Sequence, residues 1–227
     1  MIPIKGSDGL KKLIQALAFD IGRAQSHWQL RCDLIRALEA HRVVEHQSRT
    51  FWFLTLNAHE SAAILHLSRA FDQTPSALHL SSLLKTIRTN LDLFKEDEFR
   101  RRKVGDGFVD SLAAASRIPG LDTLEKDILE CSDDDPLVNK LVKYRGNALA
   151  HRSAKLTLSD EQFQSQLTLT FEDIPVLLAR ADDVLNRYSG LFSAEYYSPE
   201  MVGHDDYKFV IRSIESEVKR LTDADLH

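Results

Sequence analysis

Between Arg49 and Asp72 the chain reads RTFWFLTLNAHESAAILHLSRAFD. Phe51, Trp52, Phe53, Leu54, Leu56, Ile64, Leu65, Leu67 and Phe71 point in nearly all directions around a helix. A helix that is apolar most of the way round must be covered from several sides, so it belongs in the middle of a bundle. Pro75 ends it, because proline cannot continue the hydrogen-bonded ladder. Any fold for this chain therefore starts from one helix with others packed around it.

The remaining sequence supplies those others. Leu10, Leu13, Ile14, Leu17, Ala18 and Ile21 recur at helical spacing, and Gly22 reads as a stop. Ser26 then caps a second helix with Trp28, Leu34, Ile35 and Leu38 inward, so the two form a helical hairpin. Leu78 to Thr89 turns Leu80, Leu83, Leu84 and Ile87 inward, and Asp122 caps a short helix to Leu129. Asp173 to Leu191 aligns Ile174, Leu177, Leu178, Ala181, Val184, Leu185 and Tyr188, with Gly190 loosening its end. A connector, Ser193 to Gly203, leads to a last amphipathic helix from Asp206 to Leu221. Apolar residues alternate in two short runs between Lys155 and Phe171, and two isolated runs cannot make a stable sheet. That segment reads as a loop able to pair as one short β-hairpin. The expected fold is all-α, one domain over residues 1–227, with the Asp135–Ala150 helix packed against Arg49–Asp72.

At 227 residues the chain can bury a core without staples, and its net charge of −5 excludes broad coating of nucleic acid by the whole surface. Any such contact must be local. Cys32 and Cys131 read as reduced thiols with no zinc spacing around them. The segment MIPIKGSDGLKK lacks the apolar core of a secretion signal, and Phe51 to Leu67 is too polar and too short to span a bilayer. A cytoplasmic protein without membrane partners is expected. His59 and His66 lie seven apart with Arg69, but HESAAILH is not HExxH, so they read as packing histidines with no metal site. Arg69 and Asp72, three apart, read as an ion pair, and Arg100 to Lys103 behind Glu96 to Glu98 as a solvated helical face. There is no Gly-rich phosphate loop, GxSxG or CxxC, so nucleotide hydrolysis by a P-loop and serine hydrolase chemistry have no support. No cofactor is expected.

Chemistry concentrates in Asp135 to Lys155, DPLVNKLVKYRGNALAHRSAK. Asp135 is a good N-cap and Pro136 suits the first helical position. The apolar stripe Val138, Leu141, Val142, Ala148 and Leu149 has Arg145 in its middle. A guanidinium stays ionised and is rarely buried alone, so it either opens onto a cleft or meets an anion. Lys140, Tyr144, Asn147 and His151 form a neighbouring polar column. From Pro136 to Ser159 there is no Asp or Glu, while Lys140, Lys143, Arg145, Arg152 and Lys155 are cationic, a local patch that draws anions, phosphate first.

Arg145 and His151, in YRGNALAHR, resemble the Arg-x(4–6)-His signature of the HEPN superfamily of all-helical domains, many of which are RNases. LSRAFD (Leu67 to Asp72), SALHLSSLLKTIR, RGNALAHR and TFEDIPVLL, in that order, are similar to the AbiU-type HEPN-like family associated with abortive phage infection. The resemblance covers roughly residues 20 to 192 and leaves 193–227 as a connector and terminal helix. Many family members carry Asn, Asp or His directly after the arginine, whereas this chain has Gly146 there and Asn147 one step later.

The resemblance implies a metal-independent endoribonuclease of a phage-defence or toxin–antitoxin system. His151 would serve as acid or base, Arg145 would bind phosphate, and Asn147 would orient His151 or bond phosphate. Lys140, Lys143, Tyr144, Arg152 and Lys155 would hold RNA. On an ideal helix Arg145 and His151 project about 120° apart, so one helix does not present them as a pair. HEPN RNases bring two copies together in one cleft, which implies a homodimer. The alternative is a non-catalytic helical module that binds a partner protein or RNA, as antitoxin or regulator of a defence pair.

Overall fold

A computed structural model of the chain describes residues 1–113, 116–146, 158, 169–198 and 203–224. The helices are α1 (Gly6–Ala40), α2 (Arg42–Gln47), α3 (Arg49–Ala70), α4 (Leu80–Arg88), α5 (Glu96–Arg102), α6 (Val109–Ala113), α7 (Leu121–Glu130), α8 (Pro136–Tyr144), α9 (Asp173–Ser193) and α10 (Tyr207–Ala224). A 3-10 turn, Leu91–Phe94, joins α4 to α5. The fold is all-α, with no strand among the described residues. The expected hairpin at 155–171 falls mostly on residues outside those described.

Gly22 does not stop a helix. The buried residues Leu10, Ile14, Leu17, Ile21, Ala24 and Trp28 continue at alternating spacings of four and three straight past it. Burying that uninterrupted stripe outweighs the roughly 1 kcal/mol that glycine costs in a helix interior. The expected hairpin is thus one 35-residue helix, and Ser26 is an interior residue instead of a cap.

The chain divides into two compact units, Met1–Gly22 with Leu65–Tyr197, and Arg23–Ile64 with Ser198–His227. In the first, α9 touches α4, α5, α8 and the 3-10 turn, and α4 pairs with α7. Ile174, Leu177, Leu178, Ala181, Val184, Leu185, Tyr188 and Phe192 of α9 are all buried. This helix, and not the Arg49–Asp72 helix, is the element around which the first unit packs. Thr170 and Asp173 start it by exchanging bonds: the Asp173 carboxylate accepts from Thr170 N–H at 2.8 Å, and Thr170 Oγ1 accepts from Asp173 N–H at 3.3 Å. Ala194, left-handed at φ 53°, ends it. Gly190 does not loosen that end; a Cβ there would lie 2.7 Å from Tyr196 Oη, so glycine is what lets the tyrosine lie against the helix.

Two arginines bind the last carbonyls of α9. Arg117 donates to Gly190 O at 2.9 Å, and Arg102 to Phe192 O at 2.7 Å. Their guanidinium groups lie over the rings of Phe99 and Phe192, at 3.8 and 4.1 Å. Arg102 therefore leaves the solvated face expected for its basic run, while Arg100 and Arg101 stay on it, paired with Glu96, Asp110 and Glu98. His66 in this unit meets Asp20 at 2.8 Å, and Arg69 meets the same carboxylate at 3.4 Å.

The second unit has a small core of Leu34, Leu38, Val44, Trp52 and Ile211. Trp52 donates from Nε1 to Val44 O at 3.2 Å. Phe51, Phe53 and Leu54 of α3 are 58%, 63% and 60% exposed, so the all-round apolar character of α3 does not reflect all-round burial. This unit has too few helices to cover every side of it. His59 pairs with His27, Nδ1 to Nδ1 at 2.9 Å, and Arg31 pairs with Glu60 at 2.7 Å. Among the described residues no helix is long and apolar enough to cross a membrane.

An added Cβ on Gly22 meets nothing within 4 Å. Gly22→Ala is expected to raise stability by about 0.5 to 1 kcal/mol in urea unfolding, whereas a loss would show that α1 needs glycine's freedom at that point.

Candidate functional site

The start of α8 forms as its sequence dictates. Asp135 accepts from the backbone N–H of Leu137 and Val138 at 2.9 and 3.0 Å, and Pro136 occupies the first turn. Val138 and Leu141 are fully buried, which turns the opposite side of the helix outward. Two ion pairs tie α8 to α9: Asp135 with Arg180 at 2.9 Å and Lys140 with Asp173 at 2.6 Å.

At Arg145 the winding changes, and residues 145–146 are π-helical. A π turn bonds i to i+5 and advances less per residue than an α turn, and such turns recur at functional sites. Gly146 has no neighbour within 4 Å of an added Cβ among the described residues.

Arg145 meets an anion from its own chain. Its Nη1 donates to Asp72 Oδ2 at 2.9 Å, with the arginine side chain 36% exposed and the aspartate 16%. The other carboxylate oxygen accepts from Thr74 N–H at 2.8 Å and Thr74 Oγ1 at 2.7 Å. Burial pushes the Asp72 carboxyl up, but the Thr74 bonds and the Arg145 charge outweigh it and hold the group below the usual carboxylate range. The Arg69–Asp72 pair read from the sequence is thus replaced by two others, Arg69 with Asp20 and Arg145 with Asp72. Asp173 is likewise held low: burial raises it, and the Lys140 and Thr170 bonds prevail.

Of the residues singled out in the sequence, Arg145 lies at the end of α8, half-exposed, next to exposed Lys143 and half-buried Tyr144. Lys140 is one helical turn earlier and engaged with Asp173. Asn147, His151, Arg152 and Lys155 lie outside the described residues. Sequence reasoning missed Asp72 and Asp173 as partners of the basic segment. A signal existed for Asp72: it follows the C-terminus of α3, the negative end of the helix dipole, where a carboxylate is unfavourable without a cation.

The sequence model of the HEPN AbiU2 family matches residues 7–221. The chain belongs to the AbiU2 family of HEPN domains. The match runs past both ends of the stretch in which the resemblance was visible, and takes in the start of α1 and most of α10. Its membership places the chain among HEPN-like proteins of the abortive-infection type. No curated protein and no solved structure matches it.

Behind the Asp72 turn, His79 caps α4. Its Nδ1 accepts from Ser82 N–H at 3.3 Å, while Ser82 Oγ accepts from His79 N–H at 2.9 Å. Burial lowers the imidazole to about 4 from an ordinary 6.5, against the pull of Asp72. A neutral ring fits the geometry, since a protonated Nδ1 could not accept. Because the unfolded chain takes up this proton first, the stability His79 contributes is lost as pH falls from about 6.5 towards 4, by up to about 3 kcal/mol. His79→Asn keeps a capping acceptor and is expected to flatten the pH dependence of urea unfolding in that window. An unchanged slope would show that another group carries it.

Proposed function

We propose that this AbiU2 protein is a metal-independent endoribonuclease in which Arg145 binds the scissile phosphate and His151 moves the proton, in a cleft shared by two copies of the chain. The observation that supports the reading is Arg145 itself, a guanidinium at the end of α8, partly exposed, in a chain of the HEPN AbiU2 family whose Arg145 and His151 have the spacing that resembles the HEPN signature.

RNA brings its own nucleophile. Removal of the 2′-hydroxyl proton lets that oxygen attack the adjacent phosphorus, and the bond to the 5′-oxygen breaks, leaving a 2′,3′-cyclic phosphate and a 5′-hydroxyl. His151 is the proton acceptor or donor, a role worth about 10² to 10⁴ in rate. Arg145 donates to the non-bridging oxygens as charge develops, worth about 10² to 10³ by analogy with one oxyanion donor. Asn147 orients His151 or bonds phosphate. Lys143, Tyr144, Arg152 and Lys155 follow the strand, and Lys140, held on Asp173, acts through its field.

A second reading is a non-catalytic module that binds a partner protein, such as an antitoxin. It draws on the exposed Phe51, Phe53 and Leu54 of α3 and on a hollow of about 630 Å³ lined by Leu38, Arg42, Glu45, Arg49, Trp52 and Phe53. It is also favoured by the pairing of Arg145 and Lys140 with carboxylates of their own chain.

The deciding experiment is cleavage of a mixed RNA pool in excess EDTA by the wild type and by His151→Ala. The wild type is expected to leave cyclic phosphate ends and the variant to lose at least about a hundredfold in rate. Equal inactivity of the two, with a partner protein still bound, would favour the second reading.

A further inference from the structure

The carboxylate that meets Arg145 is itself held by bonds that do not involve the arginine. Asp72 follows α3 at once, and its turn folds back on it: Oδ1 takes both the N–H and the hydroxyl of Thr74, at 2.8 and 2.7 Å. This is an Asx-type turn, set by local sequence and independent of α8. It leaves Oδ2 free to accept from Arg145 Nη1 at 2.9 Å. The two oxygens thus divide their work, one holding the turn and one the guanidinium.

We propose that Asp72 is the positioning residue of the site: anchored by Thr74, it fixes the plane of the Arg145 guanidinium so that donors other than the one on Asp72 are presented to a phosphate diester. A guanidinium has five N–H donors in a rigid fork, so engaging one at a fixed carboxylate restricts the remainder without consuming them. Arg145 is the more exposed partner of the pair, 36% against 16% for Asp72, which leaves an anion its approach on the arginine's side. Asp72 also places a negative charge beside the phosphate, which weakens binding of ground-state RNA while preserving aim.

That combination gives an outcome that a purely structural role would not give. This inference rests on the ribonuclease reading, and the experiment separates the two. Asp72→Asn is nearly isosteric, keeps the bonds from Thr74 and removes the charge that holds the guanidinium. It is expected to lower kcat by at least about tenfold on an RNA substrate while KM stays level or falls, since a loosened arginine loses aim but the site gains positive charge. Thr74→Val, which removes one anchor of Oδ1, is expected to fall between the wild type and Asp72→Asn.

An arm without catalysis follows the Arg145 guanidinium by ¹⁵N NMR, with the signal assigned by its loss in Arg145→Lys. Separate Nη resonances, the sign of hindered rotation, are expected in the wild type and their collapse in Asp72→Asn. Retained kcat and KM in a folded Asp72→Asn would overturn the proposal while leaving the ribonuclease intact, as would Nη resonances that do not change. If the wild type cleaves no RNA, the ribonuclease reading falls, and the NMR arm alone decides whether Asp72 orders Arg145.

Discussion

A permanently charged group in the apolar stripe of α8 has to be answered by an anion, and the Asp72 carboxylate answers it. With both partners partly hydrated, such a pair contributes about 1 kcal/mol or less to stability. Removing only one partner costs more, because the other is left half-desolvated and alone. Its larger consequence is geometric. It joins the end of α8 to the turn after α3, residues far apart in sequence, and sets where the guanidinium of an Arg-x5-His motif sits.

Around that contact the first unit supplies rigidity. Lys140 with Asp173 and Asp135 with Arg180 fasten α8 to α9, and α9 is the helix with buried residues on every turn. The ends of α9 are closed as firmly, by the Thr170–Asp173 exchange at its start and by Arg102 and Arg117 at its last carbonyls. Both arginines are pushed below their ordinary range by burial, a cost that the carbonyls and the aromatic faces of Phe192 and Phe99 offset. Arg145 thus follows a helix that is fastened to α9 at its start and at its middle.

How much of this was legible in the sequence follows from how local each signal is. The caps of α8, the stripe of α9 and the all-α class were readable because they depend on residues within a few turns. Gly22 misled because propensity is a weak prior and an in-register apolar stripe overrides it. The apolar α3 misled because hydrophobicity says which surfaces prefer cover, whereas Phe51, Phe53 and Leu54 remain exposed. The segment without Asp or Glu in its own sequence read as an uncompensated patch, yet Asp72 and Asp173 reach two of its cations from elsewhere in the chain. Long-range pairing of this kind leaves no periodic trace. Family membership was legible from the order of four short segments, and the match then extended over 7–221.

The central claim, that Arg145 and His151 act across two copies of the chain, is tested most directly by mixing. Arg145→Ala and His151→Ala are each to be prepared alone, shown to be folded and inactive on RNA, then combined and allowed to exchange subunits. If the site takes its arginine from one copy and its histidine from the other, half of the dimers become mixed and each keeps one intact site. The account then predicts recovery of about a quarter of the wild-type rate per chain. No recovery from two folded variants whose wild-type parent cleaves RNA would contradict it.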